Sequence, residues 1–359
     1  MSSVATAELD QRKVDAFAGR MYDVLNGGAL ALSISIGHRT GLFDAMRRLP
    51  PASSQEIAEE AGLDERYVRE WLGAMVTGRI VEHFPLEDTF LLPPEHAASL
   101  TRRASPDNLA VSMQFIPILG QIEERLIDSF RNGGGVGHEH YPRFQTVMAE
   151  MSRQTVVSAL FDSILPLAPG LTVRLQEGID VLDVGCGHGR ALSAMACEYP
   201  NSRFRGIDLS QEAITAANQR IADLHLHNIR FEQMDAAALA EPAGYDLITG
   251  FDIMADQALP DRVMNNIHAA LRPDGVFLMQ DLATCSRLEE NRDHLIGPFL
   301  YTVSVMHCMT VSLSQGGAGL GTCWGREKAV EMMREAGFRQ VEVRELPDDA
   351  MSYFYIARR

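Results

Sequence analysis

The chain has 359 residues, of which 46% are hydrophobic, and its formal net charge at pH 7 is −16. This length predicts two or more domains with a substantial core, and the charge disfavours a broad surface for binding nucleic acid. The five cysteines include no Cys-x-x-Cys pair, which predicts a reducing compartment and no metal site. The start of the chain is polar and does not resemble a signal sequence, and no apolar run is long enough to span a membrane. We therefore expect a cytoplasmic protein with no membrane partner.

The first predicted elements are helices with a large apolar surface. Phe17, Met21 and Leu25 recur at helical spacing. Residues 26–28, Asn-Gly-Gly, are expected to interrupt this helix, and residues 29–36 resume it. Such a surface needs a partner, either the same domain or a second subunit, and a homodimer is expected.

A helix-turn-helix pattern with a wing follows. Ser53 and Glu56 form a capping box for a first helix, and Asp64 caps a second helix over residues 65–77. Two short strands around residues 85–88 complete a winged helix.

The winged helix admits two interpretations, DNA binding and dimerisation. The helix that would enter the groove carries Asp64, Glu65 and Glu70 beside two arginines, and the tip of the wing is acidic as well. Groove binding requires positive charge at both places. Dimerisation is therefore favoured, and no nucleic-acid partner is expected.

A mostly helical connector is predicted next. Residues 108–131 have helical periodicity with an expected kink at Pro117, and residues 144–165 read as one long helix. Between them lies a glycine-rich loop followed by His138-Glu139-His140. A surface loop is favoured over a metal site there, because no third ligand occurs at suitable spacing.

The most informative motif is Asp-Val-Gly-Cys-Gly-His-Gly at residues 183–189, between a predicted strand and a predicted helix. Glycine permits positive φ and the close approach of a ligand to the backbone. The next strand ends at Asp208, where nucleotide-binding α/β folds hold a ribose diol. Later strands also end in acids, at Asp235, Asp252 and Asp281, and the turn lacks the Gly-Lys-Ser/Thr ending of a phosphate cradle. A phosphate cradle is therefore disfavoured, and acids placed at the ends of successive strands predict a ligand site.

These residues, with Met234 and the turn Leu-Arg-Pro-Asp-Gly at 271–275, resemble the class I S-adenosylmethionine-dependent methyltransferases. The resemblance implies an α/β fold, a Rossmann-like seven-stranded methyltransferase sheet behind an N-terminal winged-helix, mostly α domain. It implies S-adenosylmethionine as cofactor, with Asp208 at its ribose, Asp235 at its adenine amino group, and Met234 and Phe251 against the adenine ring. The cofactor residues implied are Asp183, Gly185, Cys186, Gly187, Gly189, Asp208, Leu209, Met234, Asp235, Ala236, Phe251 and Asp252.

A closer resemblance covers nearly the whole chain. The winged helix, Phe144-x-x-x-Met148 and a cap before the last two strands are similar to small-molecule O-methyltransferases, in particular a bacterial winged-helix subfamily. Its signatures are matched at 251–252, 256–257, 306–309 and 319–325. The expected domains are a winged-helix and dimerisation domain at 1–105, a helical connector at 106–178, and a cofactor-binding domain at 179–359 with a cap at 282–325.

Two departures from the subfamily's pattern concern histidines. Ala255 stands where the pattern has a histidine before Asp-Gln, and Asp348 stands where it has a histidine after proline. If either histidine serves as a base in relatives, it does not do so here.

Methyl transfer to a hydroxyl needs a base that takes the hydroxyl proton, whereas a thiol or an activated carbon can accept the methyl group without one. His307, in the middle of the predicted cap helix, is the candidate base, and a buried core histidine is the equal alternative. Asp256 is the second candidate, and could equally cap the helix that follows. The predicted acceptor contacts are Phe144, Met148, Met254, Gln257 and Met306, although methionine often only fills a core.

The function predicted is methyl transfer from S-adenosylmethionine to a small, largely apolar acceptor, with O-methylation favoured. Two alternatives stay open at this point. One is a ligand-sensing transcription regulator with an inactive core, and the other is a cofactor-binding enzyme that catalyses a different reaction.

Overall fold

The computed structural model describes residues 9–347 and 349–359, and the chain divides into two compact units, Met1–Pro117 and Ile118–Arg359. The predictions made for the first eight residues and for Asp348 lie outside the described residues. The domain boundaries predicted at 105 and 178 stay predictions; the division at residue 117 falls inside the predicted connector.

The N-terminal unit consists of helices and one short hairpin. Its elements are α1 (Gln11–Thr40), α2 (Leu42–Arg48), α3 (Ser54–Ala61), α4 (Glu65–Thr77), β1 (Glu82–Phe84), β2 (Thr89–Leu91), α5 (Pro94–Leu100), α6 (Ala110–Met113) and, at the boundary, α7 (Phe115–Gly120). The capping box of Ser53 and Glu56 is present at α3, and β1 pairs antiparallel with β2. The predicted winged helix is confirmed.

Helix α1 is continuous, so the interruption predicted at residues 26–28 is wrong. A Cβ placed on either glycine there would meet no atom within 4 Å, so packing does not require glycine at these positions. The two glycines only lower the intrinsic helix propensity of the segment. Every residue from 11 to 29 is exposed, including Phe17 at 61% and Leu25 at 67%. The predicted apolar face of α1 therefore has no cover within the described chain.

The connector is more broken than predicted. α6, α7 and α8 (Glu123–Asn132) replace the single kinked helix expected over 108–131. The long helix expected over 144–165 becomes α9 (Phe144–Ser152), two π-helical segments at Arg153–Val157 and Leu160–Ile164, and a 3-10 turn. A π-helical turn adds one residue without ending the helix, so the apolar periodicity continues across it and hides it in the sequence.

The C-terminal unit contains a seven-stranded sheet. Its strands are β3 (Asp180–Val184), β4 (Arg203–Asp208), β5 (Ile229–Gln233), β6 (Tyr245–Phe251), β7 (Leu271–Leu282), β8 (Gln340–Leu346) and β9 (Asp349–Arg358). The order across the sheet is β5-β4-β3-β6-β7-β9-β8; β9 is antiparallel to β7 and β8, and the other pairs are parallel. The predicted α/β fold is confirmed, including the antiparallel ending.

Helices and two hydrophobic cores accompany this sheet. The helices are α10 (Leu171–Glu177), α11 (Arg190–Glu198), α12 (Gln211–Asp223), α13 (Pro260–Ala270), α14 (Gly297–Val303), α15 (Met309–Ser314) and α16 (Gly325–Glu335). One core contains side chains of α10, α11 and α12, and the other contains side chains of α13 and α16. Strand β3 lies between β4 and β6, so the connections leave it in opposite directions and open a crevice at the carboxyl ends of the strands. Ligands of open α/β sheets bind in such a crevice.

Among the described residues, no helix combines the length and the hydropathy needed to cross a bilayer.

Candidate active site

The glycine turn connects β3 to α11, and Gly185, Gly187 and Gly189 all have positive φ. A Cβ on Gly185 would lie 2.5 Å from Cγ2 of Ile253, and one on Gly189 would lie 2.3 Å from Cζ of Phe231. A Cβ on Gly187 would meet nothing within 4 Å. The outer glycines therefore let the turn pack against the core, and the middle one leaves open space where a ligand can reach the backbone.

Asp208 lies beside this turn because β3 and β4 pair in register, with Val184 opposite Ile207. Its Oδ2 accepts a hydrogen bond of 2.8 Å from the N–H of Gly187, and its Oδ1 accepts one of 2.8 Å from the N–H of Ser210. Each oxygen keeps a further lone pair. The carboxylate can therefore fix the turn and accept from a diol at the same time.

Two polar side chains at the turn were missed by the sequence analysis. Nε2 of His188 and Nε of Arg190 are buried and have no hydrogen-bond partner among the described residues. Burial, and then the charges of Arg220 and Arg153, lower the pKa of Arg190. Buried donors beside a glycine turn suit a ligand carboxylate. The signal in the sequence is the arginine that directly follows the third glycine.

The residues predicted for the adenine end follow β5 and β6. Met234 donates its N–H to the carbonyl of Asp208 at 3.0 Å, and Asp235 accepts at Oδ1 from the N–H of Ala237 at 2.8 Å. Of the others, Ala236 is buried, Cys186 and Phe251 are half-buried, and Leu209 is 51% exposed. The structure thus places them along the carboxyl edge of the sheet, with the second oxygen of Asp235 available to a ligand.

Three acids lie at the carboxyl ends of the inner strands: Asp183 in β3 and Asp281 in β7 are buried, and Asp252, directly after β6, is half-buried. Burial raises the pKa of Asp183 to about 7, although Thr249 donates to it at 2.7 Å. Burial also raises the pKa of Asp252 to about 6, and burial together with the charge of Asp252 raises that of Asp281 to about 8. Asp281 accepts from Nε1 of Trp324 at 3.0 Å. At all three carboxyls, desolvation therefore raises the pKa by more than the hydrogen bonds lower it.

Asp281 should make the protein less stable as the pH rises. Its pKa in the folded state, about 8, lies above the unfolded value, so the folded state binds the extra proton and the free energy of unfolding falls from about pH 4 to pH 8. Asp281→Asn cannot ionise and should be more stable than the wild type at pH 8.5 by more than about 1 kcal/mol. Thermal unfolding should show this advantage shrinking at pH 5. The exposed Asp274→Asn is the control, and equal pH profiles for all three proteins would contradict the expectation.

The cap, residues 282–325, is bonded to the loop after β6. The N–H of Gly321 donates to the carbonyl of Ala255 at 3.2 Å, and Oγ of Ser312 donates to the carbonyl of Gln257 at 2.8 Å. The predicted cap helix is interrupted by a π-helical segment at Ser304–Cys308, which contains His307. π-Helical turns inside helices occur frequently at functional sites.

His307 is 2% exposed and enclosed by aromatic rings. It stacks on Phe144 with 3.7 Å between ring centroids and meets Tyr141 edge-on at 4.8 Å. Burial, and then the charge of His138, lower the pKa of His307 well below its usual value. Its buried Nε2 has no hydrogen-bond partner in the part of the chain that the structure describes. A neutral imidazole here can offer a hydrogen bond to a bound molecule.

The remaining predicted acceptor residues divide by burial. Met148 and Met306 are half-buried, and Gln257 donates from Nε2 to the carbonyl of Ile253 at 3.0 Å. Met254 has no exposed surface and belongs to the hydrophobic core that contains side chains of α13. In this structure it fills the core and does not line an open site.

Comparisons with known proteins agree with this architecture. Residues 28–102 match a family model described as an Rv2258c-like winged HTH domain, and residues 175–337 match one described as a methyltransferase domain. Both parts of the predicted resemblance are thereby confirmed.

Solved structures extend the likeness over the whole chain. An O-methyltransferase family protein from Burkholderia thailandensis has a TM-score of 0.69 at 16% identity, with 95% of this chain and 98% of that one covered. Human N-acetylserotonin methyltransferase in complex with SAM has a TM-score of 0.66 at 16% identity, with 99% of each chain covered. At these identities the likeness establishes the fold.

Curated relatives match a shorter region. Trans-aconitate 2-methyltransferase from Azoarcus sp. is 33% identical over 110 residues, which is 30% of this chain and 41% of the relative. The chain spans less than half the length of the curated relatives it matches.

Proposed function

We propose that this chain, which combines a winged helix-turn-helix domain with a methyltransferase domain, is an S-adenosylmethionine-dependent methyltransferase that acts on a small, largely apolar acceptor. The observation that carries the proposal is the glycine turn, in which Gly187 faces open space while Asp208 holds its N–H. O-methylation is favoured, because the site offers histidines and carboxylates that can receive a hydroxyl proton.

The residues present fit this cofactor. When bound, S-adenosylmethionine supplies a methyl group activated by a sulfonium. Asp208 would accept from its ribose hydroxyls, and the open side of Gly187 would admit its methionine end. His188 and Arg190, whose buried nitrogens have no partner among the described residues, would donate to its carboxylate.

The acceptor would lie where three segments meet: the cap, α9 with Phe144 and Met148, and the loop at 251–257. The cap is hydrogen-bonded to that loop and stacked on Phe144 through His307. We assign His307 to orienting the acceptor rather than to proton removal, because burial holds its pKa low and Nε2 is unpartnered among the described residues. The buried rings of Tyr141, Phe144 and His307 would shield one side of a bound acceptor from water.

The proposal is tested by incubating the full chain with methyl-labelled S-adenosylmethionine and a panel of phenols and aliphatic alcohols. Label should appear on a hydroxyl oxygen, together with an equal amount of S-adenosylhomocysteine. Binding of the cofactor without label on any acceptor would instead favour a cofactor-binding enzyme that catalyses another reaction.

We further propose that the protein is a homodimer and that the winged helix serves dimerisation rather than DNA binding. On α4, Arg69 pairs with Glu65 at 2.6 Å and Arg66 pairs with Glu70, so both arginines are neutralised by acids of the same helix. Little positive charge remains for phosphates.

The five cysteines, which all lie between residues 186 and 323, are free thiols, and this accords with a cytoplasmic location.

The exposed face of α1 is the proposed dimer contact. The double variant Phe17→Glu/Leu25→Glu should be monomeric in light scattering, whereas the wild type is dimeric, because two charges replace exposed apolar side chains. Asp23→Lys, on the opposite face of α1, should stay dimeric. A wild-type monomer, or a double variant that still dimerises, would contradict the assignment.

A further inference from the structure

The candidate active site contains a second histidine, which the sequence analysis assigned to a surface loop. His138 begins a 3-10 turn at His138–His140, and its Nε2 lies 3.7 Å from Oδ2 of Asp256. We propose that His138, paired with Asp256, is the general base that takes the proton of the acceptor hydroxyl. This inference rests on the proposed function and assigns a residue to its proton transfer.

The backbone around His138 is fixed on both sides. Before it, the N–H of the buried Val136 donates to Oγ1 of Thr310 at 2.9 Å. After it, the hydroxyl of the buried Tyr141 donates to the carbonyl of Met306 at 2.7 Å. Both acceptors belong to the cap. His138 is therefore held at the site by two anchors, unlike a histidine on a loose surface loop.

Asp256 is equally well placed. The neighbouring Ala255 carries no group that accepts a proton, but its carbonyl, bonded to Gly321 of the cap, fixes the loop. Burial raises the pKa of Asp256, the charge of His138 opposes that rise, and the charge of Asp208 adds to it. The Asp256 side chain is 28% exposed, and a positive imidazolium beside it would offset the cost of its partial burial.

His138 and His307 lie in different surroundings. The His307 ring is 2% exposed and stacked on Phe144, so a positive charge there would be desolvated without a carboxylate beside it. The His138 side chain is 39% exposed and lies against Asp256. The two imidazoles are 5.5 Å apart, and a charge on His138 disfavours one on His307. One ring can therefore carry the proton while the other stays neutral and orients the acceptor.

The O–H bond of the bound acceptor breaks first, and the resulting oxygen anion then forms a bond to the methyl carbon as the carbon–sulfur bond of the donor breaks. The proton passes to Nδ1 of His138, because Nε2 is turned to Asp256. Asp256 stabilises the imidazolium that forms, and the positive charge of the sulfonium is lost when the methyl group is transferred.

The test uses 4-nitrophenol, whose phenolate absorbs visible light, with the full chain and S-adenosylhomocysteine at a pH below the probe's own pKa. The wild type should bind the probe as phenolate, since His138 takes its proton, and should methylate it when S-adenosylmethionine is supplied. His138→Gln should bind the probe in its protonated form and lose about 10²- to 10⁴-fold in turnover. Asp256→Asn should reduce the phenolate band as well.

His140→Gln is the matched control, because His140 lies in the same turn and pairs with Glu139 at 3.3 Å. It should keep both the phenolate band and the turnover. The role of His138 would be overturned by a His138→Gln protein that keeps the phenolate band and the turnover, or by a wild type that methylates the probe without ionising it. Either result would leave the proposed function intact. A wild type that binds the cofactor but methylates no hydroxyl would overturn the proposed function, and this inference with it.

Discussion

Replacing Asp208 by alanine should weaken the binding of S-adenosylmethionine and S-adenosylhomocysteine by about 10- to 150-fold, the effect of losing about 1.5–3 kcal/mol from hydrogen bonds to a charged group. Two losses combine. The ribose hydroxyls lose their acceptor, and the N–H groups of Gly187 and Ser210, both bonded to this carboxylate at 2.8 Å, are released. Isothermal titration calorimetry on the full chain measures the change.

The matched control is Asp223→Ala at the end of α12, where the exposed carboxylate accepts from the side chain of Gln219 and from no other described residue. It should bind both ligands like the wild type. Wild-type affinity in Asp208→Ala would exclude Asp208 from the cofactor site, and an equal loss in both variants would indicate a general loss of folding.

Replacing His307 by phenylalanine should lower turnover on a hydroxyl acceptor by about 5- to 150-fold while leaving the affinity for S-adenosylhomocysteine unchanged. Phenylalanine keeps the stacking on Phe144 but removes Nε2, the buried nitrogen without a partner among the described residues. The acceptor would lose one hydrogen bond in an enclosed site. Initial rates at saturating cofactor measure the effect.

The alternative for His307 is a purely structural histidine. In that case the phenylalanine variant should keep its turnover, and its melting temperature should stay the same or rise, since a buried polar nitrogen is removed. Measuring turnover and thermal unfolding on the same preparation separates the two roles, and unchanged turnover would contradict the one assigned here.

Much of the cofactor region could be predicted from the sequence because its determinants are local. The glycines at 185, 187 and 189 are needed for positive φ whatever surrounds them. Asp208 ends a strand whose neighbour is fixed by α/β connectivity. The capping box at Ser53 likewise depends only on residues one helical turn apart.

The acceptor side could not be predicted in the same way, because it is assembled from segments distant in sequence. The pair of His138 and Asp256 exists only because loops more than one hundred residues apart are anchored on one cap. The π-helical segment at His307 keeps the periodicity of a helix while shifting the side chains that follow it. Helix α1 likewise continues through residues 26–28, although the low helix propensity of Asn-Gly-Gly predicts a break there.

The central claim is that the chain binds S-adenosylmethionine at the glycine turn between β3 and α11. Calorimetric titration of the full chain with S-adenosylhomocysteine, beside a Gly187→Val variant, tests it most directly. We expect one site per chain of micromolar order in the wild type and no measurable binding in the variant, because valine at a φ of +52° would strain the turn and fill the open side of Gly187. No binding by the wild type, or equal binding by both proteins, would contradict the claim.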